Sequence, residues 1–126
     1  QPYINTYPWA SGFGTKYANP ASGISNRANG VAFSPSGADI AVAHAFSPFV
    51  SAWTWASGFG TRYANPATLP SSTGTDVAFS PSGAEIAVTN DNSPYISAYP
   101  WSSGFGTKYA NPATPPTGNA NGVAFI

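Results

Sequence analysis

The sequence predicts an all-β protein assembled from like units of four short antiparallel strands. Three observations carry that expectation. The chain repeats itself with a period of 46 residues, Gly or Pro interrupts every stretch long enough for a helix, and apolar or small residues occupy both faces of each candidate strand. A length of 126 residues is that of one domain, or one piece of a larger one.

The repeat is close to verbatim. Trp9-Ala10-Ser11-Gly12-Phe13-Gly14-Thr15-Lys16-Tyr17-Ala18-Asn19-Pro20 returns at 55–66 and again at 101–112. Val31-Ala32-Phe33-Ser34-Pro35-Ser36-Gly37 returns at 77–83 and begins a third time at 123–125. Periods of about 40–50 residues are used by propeller blades, kelch units and helical HEAT-type arrays. No stretch carries apolar residues at i, i+3, i+4 and i+7, so the helical option falls and propeller blades are expected.

Each element follows from its residues. Residues 31–33 form a first strand, ended by Ser34-Pro35-Ser36-Gly37, where proline presets one φ and glycine is free to take a positive one. Residues 39–43 form the second, with Ile40 and Val42 on one face and the small Ala41 and Ala43 on the other. After the break at Ser47-Pro48, residues 49–55 form the third, with Trp53 and Trp55 on one side and Val50 and Ala52 on the other. Gly58-Phe59-Gly60 turns the chain into a fourth strand at 61–65, closed by Pro66. A sheet without a polar face must be covered on both sides, as a blade is between two others. The recurring cations Lys16, Arg62 and Lys108, with Asp39 and Glu85 after the Pro-Ser-Gly turn, read either as rim or inter-blade ion pairs or as solvated tips worth little.

The stretch Val-Ala-Phe-Ser-Pro-Ser-Gly-Ala-Asp/Glu-Ile-Ala-Val, at 31–42 and 77–88, resembles the first two strands of WD40-like β-propeller repeats. The Trp-x-Trp or Tyr-x-Trp of the third strand sits where that family usually has Trp-Asp. The resemblance covers nearly the whole chain and implies blades of four antiparallel strands. The family's Gly-His dipeptide is absent, and no Asp follows Trp9, Trp55 or Trp101. The Trp-x-Ser-Gly-Phe-Gly-Thr-Lys/Arg-Tyr-Ala-Asn-Pro segment is also similar to repeats in viral or environmental microbial surface proteins. That likeness implies an extracellular or virion-surface location.

Within the single propeller fragment 1–126, residues 1–20 supply a half blade (third and fourth strands). Residues 30–66 and 76–112 each make a full blade, and residues 122–126 a lone first strand. About three blades' worth per chain is short of the 4–8 in a propeller, so ring closure by homo-oligomerisation is expected. Two copies give a six-blade ring, which is favoured over the nine blades of a three-fold ring. The junction blade lacks a second strand, equivalent to residues 35–46. Either a longer chain or a donated strand would fill that place.

Composition narrows the chemistry. Only 6% of residues are charged and the net charge is zero, which excludes a nucleic-acid surface and a polybasic membrane patch. No apolar run reaches the ~20 residues of a membrane span. Gly12-Phe13-Gly14-Thr15-Lys16 lacks the spacing of a phosphate loop and has no helix after it. His44, the only histidine, becomes Asn90 in the next unit, so it is expected on the surface or between blades, not in a triad or metal site. Asp91 between Asn90 and Asn92 reads as a turn rather than a calcium loop, and the carboxylates Asp39, Asp76, Glu85 and Asp91 make no acid–base pair. No catalytic residue, cofactor or metal is expected, and the chain reads as a non-enzymatic structural or attachment module. The alternative is a multivalent carbohydrate-binding lectin using Trp9, Tyr17 and Asn19, Trp55, Tyr63 and Asn65, and Trp101, Tyr109 and Asn111. Its partners would then include glycans beside copies of the chain.

Overall fold

The computed structural model describes residues 3–24 and 26–126. Its seven strands form two antiparallel sheets, and no helix occurs among the described residues. The first sheet runs β1 (Ala28–Phe33), β2 (Asp39–His44), β3 (Val50–Trp55) and β4 (Phe59–Arg62), in sequence order. The second runs β5 (Gly74–Phe79), β6 (Glu85–Asn90) and β7 (Ile96–Pro100).

The Ser-Pro-Ser-Gly turn forms as its residues demand. Gly37 N–H donates to the Ser34 carbonyl at 2.8 Å with φ at 72°, and the Ser34 hydroxyl accepts the Asp39 N–H at 3.0 Å. The second unit repeats this at Gly83, Ser80 and Glu85. The turn sets a register in which Phe33 faces Ile40 and Val31 faces Val42, while Ile40 faces Trp53 on the next strand. Cross-strand partners share a face. One face of the sheet therefore carries Val31, Phe33, Ile40, Val42 and Trp53, and the other Ala32, Ala41, Ala43, Val50 and Ala52.

These unlike faces meet between the units. The small face of the first sheet, through Ala41, Ala43, Val50 and Ala52, packs on Val77, Phe79, Ile86, Val88 and Trp101 of the second. The large-residue face of the first sheet packs Ile40, Val42 and Trp53 on Ile4 and Ile24. β1 and β5 approach so closely that a Cβ on Gly30 would lie 2.7 Å from the Asp76 Cα. A side-chain hydrogen bond repeats across each junction: Asn29 Nδ2 donates to the Gly74 carbonyl at 2.8 Å, and Thr75, one repeat later, donates its hydroxyl to the Ala120 carbonyl.

The fourth strand departs from expectation in all three units. In the first sheet it lies at 59–62 rather than 61–65. In the second, and in residues 3–20, only an isolated bridge forms, Trp101 to Phe105 and Trp9 to Phe13. Tyr17 N–H still donates to the Thr6 carbonyl, as Tyr63 does to Ala52 and Tyr109 to Ala98. The difference lies at one position. Even-numbered residues of β3 turn their peptide groups toward β4, and Thr54 there is replaced by Pro8 and Pro100, which have no N–H to give. Thr54 also accepts the Thr61 N–H on its hydroxyl at 2.9 Å. Residues 122–126, expected as a lone strand, lie outside any ladder; Val123 N–H donates to Asp76 Oδ2 at 3.1 Å.

Two glycines test the junction against the turn. Gly30→Ala should lower stability by about 1–3 kcal/mol through overpacking of β1 on β5. Gly37→Ala, with open space around it and only its positive φ at stake, should cost about 1 kcal/mol. Denaturant titration of each variant checks the values.

Candidate functional site

The recurring aromatic, amide and cationic residues sit along the seam between units, but they do not converge. Tyr17 stands edge-to-face on Trp55, and Tyr63 on Trp101, each tyrosine touching the tryptophan of the following unit. The turn glycines leave room for these rings: a Cβ at Gly58 or Gly104 would lie 4.0 or 3.8 Å from Tyr17 or Tyr63. The asparagines face elsewhere. Asn19 accepts from Lys16 at 2.5 Å, Asn65 from Arg62 at 3.1 Å, and Asn111 from Lys108. Of the rings expected to hold a sugar, Trp101 is buried, Trp55 is half-covered, and Trp9 lies open beside Phe13 at a centroid distance of 5.1 Å. Tyr109, with no following tryptophan against it, is exposed.

Asp39 ties the seam together. Its Oδ1 accepts the Tyr63 hydroxyl at 2.6 Å and its Oδ2 accepts Trp101 Nε1 at 3.3 Å, so one carboxylate spans two units. Burial, followed by the Asp39 hydrogen bond and charge, pushes the Tyr63 pKa up to about 12. The rim ion pairs expected for these charges give way to this arrangement. Asp39 meets neutral donors, and Arg62 turns inward to donate to the Ser51 hydroxyl at 2.7 Å, its guanidinium 5.9 Å from the Trp53 ring centre. The sequence held a signal for the clamp, since an acid recurs at 39 and 85, but not the identity of its partners. The Asn29 and Thr75 bridges carried no signal, because the two side chains differ.

His44 is buried, which removes the surface placement expected for it. Its Nε2 lies 3.0 Å from Ser51 Oγ. Because Ser51 already accepts from Arg62, its hydroxyl proton is free to point to an unprotonated Nε2. Burial holds the imidazole below its ordinary 6.5, outweighing a backbone hydrogen bond at Phe46, and the Arg62 charge acts in the same direction as burial. The serine and histidine are both closed to solvent, so a substrate carbonyl cannot reach them. Asp91 takes the Ser72 hydroxyl at 2.5 Å. Among the described residues no three His, Asp or Glu side chains come together.

Neither the comparison with protein-family models nor that with curated proteins finds a match to this chain.

Asp39→Ala should destabilise the protein by about 2 kcal/mol, the value of hydrogen bonds to a charged acceptor. Glu85→Ala, whose carboxylate among the described residues takes the Ser82 hydroxyl at 3.2 Å, should change monomer stability little. Paired denaturation curves measure the contrast. The His44 shift also predicts a pH dependence. Below pH 6.5 the unfolded chain takes up a proton that the folded one refuses, so stability should be full above that pH and fall as the solution is acidified. His44→Asn, the residue found at position 90, should flatten the fall between pH 7 and 5 in melting-temperature measurements.

Proposed function

We propose that this chain is a stretch of WD40-like β-propeller blades, a non-enzymatic structural or attachment module whose ring is closed by further copies. An extracellular or virion-surface setting follows from the likeness of its repeats to those of viral and environmental microbial surface proteins. The observation that carries the proposal is the contrast between equivalent residues at the junction and at the end. Val77 and Phe79, covered by the preceding sheet, are 3% and 9% exposed; Val31 and Phe33, one repeat earlier, are 53% and 48% exposed. Their local strands are alike, so only a neighbouring unit makes the difference. Covering two such half-exposed side chains stabilises by about 1.5–3 kcal/mol, which favours assembly with another like unit. Two copies forming six blades suit the usual range.

The second proposal is a glycan-binding role, favoured by the open Trp9 and Phe13 rings. Against it, each asparagine amide oxygen is engaged by a cation three residues before it, and two of the three tryptophans are used in packing.

Native mass spectrometry separates the outcomes. The expected species is twice the 12.9 kDa chain, without binding on a glycan array. A folded species at the mass of one chain would overturn ring closure by copies.

A further inference from the structure

The recurring cation turns outward in two units and inward in one. Lys16 donates to Asn19 and Lys108 to Asn111, each an exposed bond to the amide three residues on. Arg62, at the equivalent position, donates from Nη2 both to Asn65 Oδ1 at 3.1 Å and to the buried Ser51 hydroxyl at 2.7 Å. The inward reach also sets its guanidinium 5.9 Å from the Trp53 ring centre.

One further difference accompanies the inward cation: His44 stands beside it, whereas the residue one repeat later is Asn90. His44 Nε2 and Arg62 Nη2 meet the same oxygen, at 3.0 and 2.7 Å, which puts the two side chains within about 6 Å of each other. That place is nearly closed to water, with Ser51 1% and His44 2% exposed. The surrounding elements bring no countercharge. β1 sets Ala28 opposite His44, and Arg27 just before it gives its Nε to Asn29. The acid of β2 itself, Asp39, lies at the far end of the strand on Tyr63 and Trp101. Residues 3–24 pack Ile4 and Ile24 on this face. Among the described residues no carboxylate bonds to His44 or Arg62.

We infer that His44, Ser51 and Arg62 form a latch opened by acid: when His44 takes a proton on Nε2, Arg62 leaves Ser51 and the Trp53 ring for Asn65. This goes beyond a loss of stability in acid, because it names a movement within the folded chain. In the shut state the neutral ring accepts the Ser51 O–H, and the serine oxygen accepts the guanidinium N–H. A protonated Nε2 is a donor, so Ser51 would face two donors carrying like charges away from water. Arg62 is the one to yield. It is half-buried and already holds Asn65, whereas His44 is fixed within β2. The second unit displays the open arrangement. Lys108 lies on Asn111, and Ser97, the counterpart of Ser51, is buried without a hydrogen-bond partner among the described residues. Burial and the Arg62 charge both hold the imidazole below its ordinary 6.5, so the latch is shut at neutral pH and opens on acidification.

The test follows the whole chain by nuclear magnetic resonance from pH 7 downward, for as long as circular dichroism reports the folded sheet. The His44 ring, Arg62 Nε–H and Trp53 indole signals are expected to shift with one shared midpoint. Arg62→Gln should raise the His44 midpoint toward 6.5 by removing a like charge, and His44→Asn should abolish the shifts at Arg62 and Trp53. Arg62 and Trp53 signals that stay still while His44 titrates would overturn the inference, as would a His44 midpoint indifferent to Arg62→Gln. A chain in which His44 gains its proton only on global unfolding overturns it too.

Discussion

The structure depends on the packing of a small-residue face against a large-residue face. Each sheet carries both, alanines on one side and Val, Phe, Ile and Trp on the other, so neither side is built for water. Like faces would not mate: two alanine faces leave a void and two aromatic faces clash, and interiors tolerate neither. Unlike faces mate head to tail, and that gives the stack a direction. The direction is visible in the two clusters, one between the sheets and the other behind the first sheet.

Directional bonds then fix the alignment that apolar packing leaves loose. Asp39 holds Tyr63 of its own unit and Trp101 of the next, and the bridge from position 29 or 75 ties each inner strand to its successor. Glycine at 30 lets the backbones come close enough for both. Because the strand faces are built of apolar or small residues, few positions remain for charge. Asp39 serves the seam, Arg62 reaches Ser51, Lys16 pairs with a local amide, and Glu85 and Asp91 take serine hydroxyls.

The buried His44–Ser51 pair and the exposed apolar residues differ in what they offer to other molecules. His44 and Ser51 form a contact that resembles a reactive pair, yet both lie inside the sheet, and Arg62 occupies the serine oxygen. What the surface offers instead is hydrophobic: Val31, Phe33, Trp9 and Phe13 stand exposed in positions where their equivalents one or two repeats later are covered. Covering such a surface takes another packed element, as the second sheet shows where Val77 and Phe79 lie under the first.

Much of the fold was legible in the residues. The 46-residue period, the Pro-Ser-Gly turn and the alternation of Ile40 and Val42 with Ala41 and Ala43 are local or periodic signals, and strand order and face assignment follow from them. The fourth strand was misjudged because its ladder depends on whether position 54 has a peptide N–H, a single-residue matter that Pro8 and Pro100 decide. The site was less legible. Trp, Tyr and Asn recur together in sequence, but whether rings and amides face one ligand depends on where each side chain turns, and Lys16, Arg62 and Lys108 draw the amides away. The sequence alone determined the repeating sheet and the two unlike faces, because both are set by neighbours a few residues apart. Only the tertiary structure decided which faces are covered and where Asp39 reaches, because those depend on residues one whole repeat away.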